Sequence, residues 1–524
     1  MKKFWDKLVA SGLWLQPCIM LGVLKYLEKT KPQMLAEKGS WLTLFVISFL
    51  PVVVMWSESS KNPNEDNAMM GKEKAMYPAV DKKLLHNNPT GIVLGKDKFS
   101  KKYVCKELEE DGHVFLIGGS GSGKSSCFVI PTLLVNPKTR IFAIDIKGEL
   151  SFKTAKYGDE QVLIFNPSNR SQYGYDPFYA LGRDSTTQQI LETMQTITAL
   201  PAGLKDPFWK VSARNLLIGL LVYYYKQGIH NLVGIIDEIL GKSVRDSIEQ
   251  IMNTTKPESV EYRYIVQFEA MEDETLGGII AEMNNHLVVF ANDQDIRYAF
   301  RDNGCKVNPL KLEEGYSIYI VVKEEKLSAY YDVLQLIINQ TLSQLEKRAE
   351  DAEPIIFIVD ELPRLLSAGK IDRLLDGART LRSRKVCLYL ITQSTEALMS
   401  AFSENEVADL ISNCPYIIVL SASSSKTQKS VCAWCGKYRQ KKQSWSGTGK
   451  DRKTTVSYEE KDIVEPSDLM TLKNTGDAIV ITPYGYSRLK KVPWYEDKNL
   501  KPIAEKFIKY NKNIEEIQKE KGAK

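Results

Sequence analysis

Apolar residues follow three patterns along this chain, and each pattern marks a different region. The first is the long uncharged run. Trp41 to Trp56 (WLTLFVISFLPVVVMW) carries no charge and is bounded by tryptophans that suit the two interfaces of a bilayer. With Gly39 and Ser57 it approaches the roughly 20 residues needed to cross. Leu8 to Leu24 is also uncharged, although Gln16 and Pro17 interrupt it. Two readings fit: both segments cross as a hairpin joined around Lys29, Lys31 and Lys38, or the first lies in the interface and only the second crosses. No small-residue cleavage site follows, which argues against a removed signal peptide. An anchor of two helices over 1–57 is expected, with Lys2, Lys3 and Lys7 on the cytosolic side together with the main body.

The second pattern is the short apolar run bounded by polar residues. Val114 to Ile117, Arg140 to Asp145, Val162 to Phe165, Tyr316 to Val322, Pro354 to Asp360, Val386 to Gln393, Tyr416 to Leu420 and Ala478 to Thr482 all read as strands. Buried parallel strands have this continuous character, and helical stretches such as Tyr331 to Lys347 alternate with them. An α/β fold with a mostly parallel sheet is expected. The third pattern, from Thr186 to Phe300, repeats apolar residues at helical spacing and predicts an all-helical insertion. The organisation is then an anchor (1–57), a polar linker (58–90), the first part of an α/β nucleotide-binding domain (91–185), the insertion (186–300), the second part (301–495) and a charged tail (496–524), read as a solvated helix or a frayed end.

Composition adds little to this. Lys plus Arg number 70 against 65 Asp plus Glu, a formal net charge of +5, too mild to identify a polyanionic partner. Eight scattered cysteines, of which only Cys432 and Cys435 have a metal-like or redox-like spacing, read as buried free thiols in a reducing compartment. Four histidines without a ligand grouping argue against a zinc enzyme.

The candidate chemistry lies at two strand ends. After Val114 to Ile117 comes Gly118-Gly119-Ser120-Gly121-Ser122-Gly123-Lys124-Ser125, followed by Ser126, which fits G-x-x-x-x-G-K-[ST] in the strand-then-loop context that pattern requires. Its glycines let successive N–H groups face an anion, and the following helix adds its positive end. Lys124 is placed on the β- and γ-phosphates of ATP, and Ser125 on Mg²⁺. The strand from Pro354 ends in Asp360 and Glu361. Asp360 suits Mg²⁺ held through water, and Glu361 suits orienting and deprotonating the attacking water. Gln393 closes the next strand, where it either senses the γ-phosphate or simply terminates the strand. Arg379, the first choice within an arginine-rich stretch, is read either as a finger reaching a neighbouring subunit's nucleotide or as part of a salt-bridged helix face. Lys437 to Lys453 carries seven basic residues against Asp451, with Tyr438 and Trp445 between them. A flexible loop of this kind suits single-stranded nucleic acid, and a solvated hairpin explains it as well.

The two N-terminal segments, GGSGSGKSS at 118–126, Asp145-Ile-Lys-Gly-Glu-Leu150, Asp206-Pro-Phe-Trp-Lys210, IIFIVDELPRL at 355–365 and LITQS at 390–394 together resemble the type IV coupling proteins, membrane-anchored ATPases of bacterial conjugation. The resemblance covers about residues 1–495. It implies a RecA-like motor, a helical domain inserted in it, a homo-hexamer at the bacterial inner membrane, and ATP-driven delivery of a relaxase-bound single strand to a type IV secretion channel. Lys124 and Ser125 match the family's first nucleotide motif, Asp360 and Glu361 its second, and Gln393 its glutamine motif. The chain has Ile146 where the family often has Pro and Leu362 where it often has Phe; both exchanges leave the charged groups in place. The family's frequent C-terminal extension is not recognisable. Two rival functions keep the fold: a receptor for secreted protein effectors, and an ATP-gated assembly factor for the channel.

Overall fold

The computed structural model describes residues 78–522, except 160, 170–172, 183–184, 199–206, 302–305, 368 and 447–452. Both apolar N-terminal segments lie outside the described residues, and among those described no helix is long and apolar enough to cross a membrane.

The strands, in chain order, are β1 (Leu85–His86), β2 (Ile92–Lys96), β3 (Tyr103–Lys106), β4 (Val114–Ile117), β5 (Arg140–Asp145), β6 (Val162–Phe165), β7 (Gly174–Tyr175), β8 (Lys306–Val307), β9 (Ser317–Val321), β10 (Ile355–Val359), β11 (Val386–Thr392), β12 (Tyr416–Val419), β13 (Lys437–Ser446), β14 (Lys453–Asp462), β15 (Asp477–Thr482) and β16 (Gly485–Lys490). Twelve of them form one sheet in the order β1-β3-β2-β16-β15-β12-β4-β11-β10-β5-β9-β6. From β12 to β6 all neighbours are parallel. The other five strands extend one edge in antiparallel pairing, so the sheet is mixed, with its parallel part from β12 to β6. Its first strand falls within the stretch expected to be linker.

Side chains alternate between the two faces, as the pleat requires. Phe115, Ile117, Phe142, Ile144, Ile355, Phe357 and Val359 enter one core, whereas Val114, Leu116, Ile141, Ala143, Ile356 and Ile358 enter the other. Burial on both faces is why these runs are continuously apolar.

Among the described residues, Thr187 to Phe300 forms only helices and the turns that join them. Pro207–Lys226 is buried nearly all round from Leu216 to Tyr225, and Gly219 lets it approach Val260–Ile265, since a Cβ there would sit 2.7 Å from Ile265. Its residues share one continuous core with the sheet face carrying Phe115 and Phe357, so the insertion is not a separately packed domain. β7 and β8 pair in parallel, Gly174 opposite Lys306 and Tyr175 opposite Val307, and hold the two ends of the insertion together.

The tail is neither frayed nor simply solvated. Lys501–Gly522 is a helix that buries Ala504 and Asn511. The Asn511 amide donates to the carbonyls of Phe152 and Ala155, and its oxygen accepts from Tyr157 N–H, satisfying three backbone groups at the end of Glu149–Thr154.

A second unit, Tyr438–Lys461 among the described residues, is the ribbon β13–β14 rather than a flexible loop. Tyr438 is 2% exposed, so it offers no face for base stacking.

His113, just before β4, is a buried clamp. Its Nδ1 accepts from Leu388 N–H at 3.1 Å, which leaves Nε2 to donate to the Ala378 carbonyl at 3.0 Å. Burial, assisted by Lys106 and Arg382 and opposed by the Ala378 hydrogen bond, lowers its pKa to about 4. The unfolded chain takes up this proton near pH 6.5 and the folded chain only near 4, so folding loses stability as pH drops through that window. The thermal midpoint should fall between pH 6.5 and 4, and His113→Gln, less stable throughout, should show a shallower fall.

Candidate nucleotide site

Residues from three neighbouring strand ends converge at the C-terminal edge of the parallel strands. β11 lies between β4, which leads into the glycine loop, and β10, which leads into Asp360 and Glu361. Residues 236 apart in sequence are therefore separated by one strand. Gly118 N–H donates to the Thr392 carbonyl at 3.0 Å, tying the loop to β11. Gly119 N–H donates to Ser421 Oγ at 2.9 Å, a support from the end of β12 that no sequence motif signals. Gly123 has φ 93°, and a Cβ there would meet Cys127 Sγ at 2.8 Å; a Cβ on Gly118 would sit 2.5 Å from Ser122 Oγ. The loop is a cradle that only these glycines permit. Ser125–Val129 opens the helical run that continues as Ile130–Val135.

Lys124 is 7% exposed, and its Nζ donates to the Gly118 and Gly119 carbonyls at 2.9 and 3.3 Å. It also lies 3.3 Å from Glu361 Oε1, while Gln393 Nε2 donates to Glu361 Oε2 at 3.0 Å. Lys124, Glu361 and Gln393, each expected from its own motif, thus form one contact chain. Glu361 itself has φ 61°, a left-handed conformation rare outside glycine, and starts the short helix Leu362–Leu366. Arg364, one turn on, brings Nε to 3.8 Å from Glu361 Oε2 and pairs with Glu324. Sequence reading gave Arg364 no role; its i+3 spacing from Glu361 on a helix was the available signal.

Asp360 is 3% exposed, and burial first, then the charges of Asp145 and Glu361, push its pKa up to about 7. Its Oδ1 has no hydrogen-bond partner. A hard divalent cation suits such an orphaned carboxylate oxygen, so Asp360, with Ser125 at the head of the helix, fits Mg²⁺. Groups of three or more acidic, His or Cys residues able to hold a metal by themselves are absent among the described residues.

Arg379 is not brought to this site in its own chain. It pairs with Asp376 and Asp409 on a helix whose Ala378 carbonyl meets His113 at the opposite, N-terminal end of β4. Among the six described cysteines all are buried free thiols.

The family model described as "Type IV secretory system Conjugative DNA transfer" matches residues 68–518. The chain belongs to this family. It is 21% identical over 412 residues to Protein VirD4 of Rhizobium radiobacter, covering 76% of this chain and 59% of that protein. The chain thus spans about 60% of the length of the curated relatives it matches. Among solved structures it resembles plasmid coupling protein TrwB in complex with a non-hydrolysable ATP analogue (TM-score 0.61, 15% identity, 81% of this chain and 93% of that one) and TrwB with ADP and Mg²⁺ (TM-score 0.60, 14% identity, 80% and 94%). The fold is that of a RecA-like NTPase.

Proposed function

We propose that this chain is a membrane-anchored ATPase that works as a homo-hexamer at the bacterial inner membrane and drives a relaxase-bound single DNA strand into a type IV secretion channel. The observation that carries the ATPase reading is the contact of buried Lys124 with buried Glu361, which exposed Gln393 caps at one sheet edge, beside the orphaned Asp360 carboxylate. Gly118 to Ser126 bind the phosphates of ATP, and Lys124 neutralises them. Asp360 and Ser125 hold Mg²⁺, which when bound shields the phosphate charge. Glu361 orients the attacking water and accepts its proton at a carboxylate oxygen; Gln393 keeps that carboxylate aimed. Arg379, exposed on its helix, is assigned to the nucleotide of the neighbouring subunit. The two N-terminal segments cross the membrane, and the DNA partner is inferred from family membership and from the basic sequence of Lys437 to Lys453.

Phosphate release by the full chain in detergent, with and without single-stranded DNA, tests this. Hydrolysis should rise several-fold with DNA; a hexamer whose hydrolysis ignores DNA would overturn the DNA-coupled reading. One feature favours a protein cargo instead: Phe208 and Trp209, 49% and 40% exposed at the start of Pro207–Lys226. Binding of secreted proteins without any DNA effect would select that reading.

A further inference from the structure

Beside Asp360 stands a second buried carboxylate to which neither the nucleotide motifs nor the family assignment gives a role. Asp145 closes β5, the neighbour of β10, with Ile144 opposite Val359. Asp360 N–H donates to the Ile144 carbonyl at 3.2 Å, which sets the two aspartates side by side at the edge that carries the glycine loop. Asp145 is 0% exposed. One of its oxygens, Oδ2, accepts Ser151 N–H at 2.8 Å in the first turn of Glu149–Thr154. The other, Oδ1, has no partner, and the same is true of Asp360 Oδ1. Among the described residues no lysine or arginine lies within 4.0 Å of either carboxylate: Lys124 is engaged by Gly118, Gly119 and Glu361, and Lys147 is exposed.

Two neighbouring carboxylates, each burying an unsatisfied oxygen, are costly unless something positive is placed against them. Capping of Glu149–Thr154 accounts for Oδ2 but not for Oδ1, and an asparagine would cap equally well. We propose that Asp145 is a positioning residue for the nucleotide's divalent cation, acting with Asp360 through the water that the cation retains. The inference rests on the nucleotide-site reading above. Mg²⁺ gives up its waters reluctantly and is commonly held by one or two carboxylates together with phosphate, so a carboxylate reaching the ion through water fits its chemistry. Groups of this kind, outside the direct ligands, typically alter metal affinity 10- to 100-fold when removed.

Asp145→Asn separates this role from the structural one. Its side-chain oxygen still accepts Ser151 N–H, but the charge is gone. Binding of a fluorescent ATP analogue to the full chain in detergent is followed by anisotropy while Mg²⁺ is titrated, alongside Asp360→Asn and Lys124→Ala. The Mg²⁺ concentration for half-maximal binding should rise roughly 10-fold or more in Asp145→Asn, while binding in EDTA is not weakened. A midpoint within about twofold of the parent, in a variant with the parent's thermal midpoint, would overturn the proposal. Should Asp145→Asn not fold, Asp145→Ser, whose hydroxyl also accepts from Ser151, is judged by the same criteria. Failure of the parent chain to bind the analogue at any Mg²⁺ concentration would instead sink the nucleotide-site reading itself.

Discussion

Glu361→Gln should bind ATP about as tightly as the parent chain and hydrolyse it about 10²–10⁴-fold more slowly. The substitution keeps size and shape in a side chain that is only 5% exposed and contacts Gln393 at 3.0 Å and Lys124 at 3.3 Å. What it removes is the basic oxygen assigned above to take the water's proton. The left-handed backbone at φ 61° costs on the order of 1–3 kcal/mol at a non-glycine residue. Contacts from three directions, Lys124, Gln393 and Arg364, hold that conformation, and glutamine retains the neutral one among them. Single-turnover phosphate release combined with analogue binding checks the result. Turnover within tenfold of the parent would move the base elsewhere.

Lys124→Ala should fail earlier, at binding. The ammonium is almost wholly buried and stands between two loop carbonyls and Glu361, so truncation removes the charge that meets the phosphates. It also leaves the Glu361 carboxylate with Arg364 as its remaining cation within 4.0 Å among the described residues. A charge-assisted hydrogen bond contributes about 1.5–3 kcal/mol, which corresponds to ATP affinity lower by about 10- to 100-fold, with hydrolysis at background. The pair of variants is diagnostic: one loses turnover with binding intact, the other loses both. Nearly equal analogue affinity in parent and Lys124→Ala would contradict the phosphate-cradle assignment.

What could be read from the sequence was local. The glycine loop is a contiguous motif whose geometry follows from residue type, and the parallel strands announce themselves because burial on both faces leaves no polar positions. Gln393 could be placed beside the Asp360 strand because β11 is the next strand after β10, joined to it by the helical segments Leu362–Leu366, Asp372–Thr380 and Leu381–Arg384. The misses are non-local or amphipathic. β2, β3 and β16 mix lysines with apolar residues near the sheet's antiparallel edge and resemble loops in sequence. Asp145 opens one of the elements that carry the family resemblance, but nothing local gives it a role until pairing sets it beside Asp360, 215 residues later. The tail reads as solvated because lysines and glutamates dominate it, whereas two residues, Asp497 at Lys96 and Tyr103 and Asn511 at the end of Glu149–Thr154, fasten it to the body. Basic residues around Tyr438 suggested a stacking platform, but a pattern of residue types does not tell which side of a strand is covered.

The short pairing of β7 with β8 has a consequence for how this architecture can vary. It closes a loop of about 130 residues at a single point, and the entropy of closing such a loop grows only with the logarithm of its length, about 0.6 kcal/mol for each doubling. Once both ends are fastened at Gly174 and Lys306, adding or deleting helices between them changes that closure term very little. Selection is then left to act on the surface these helices present, and the closure term sets little limit on their number while the strand order that assembles Lys124, Asp360 and Glu361 stays as it is.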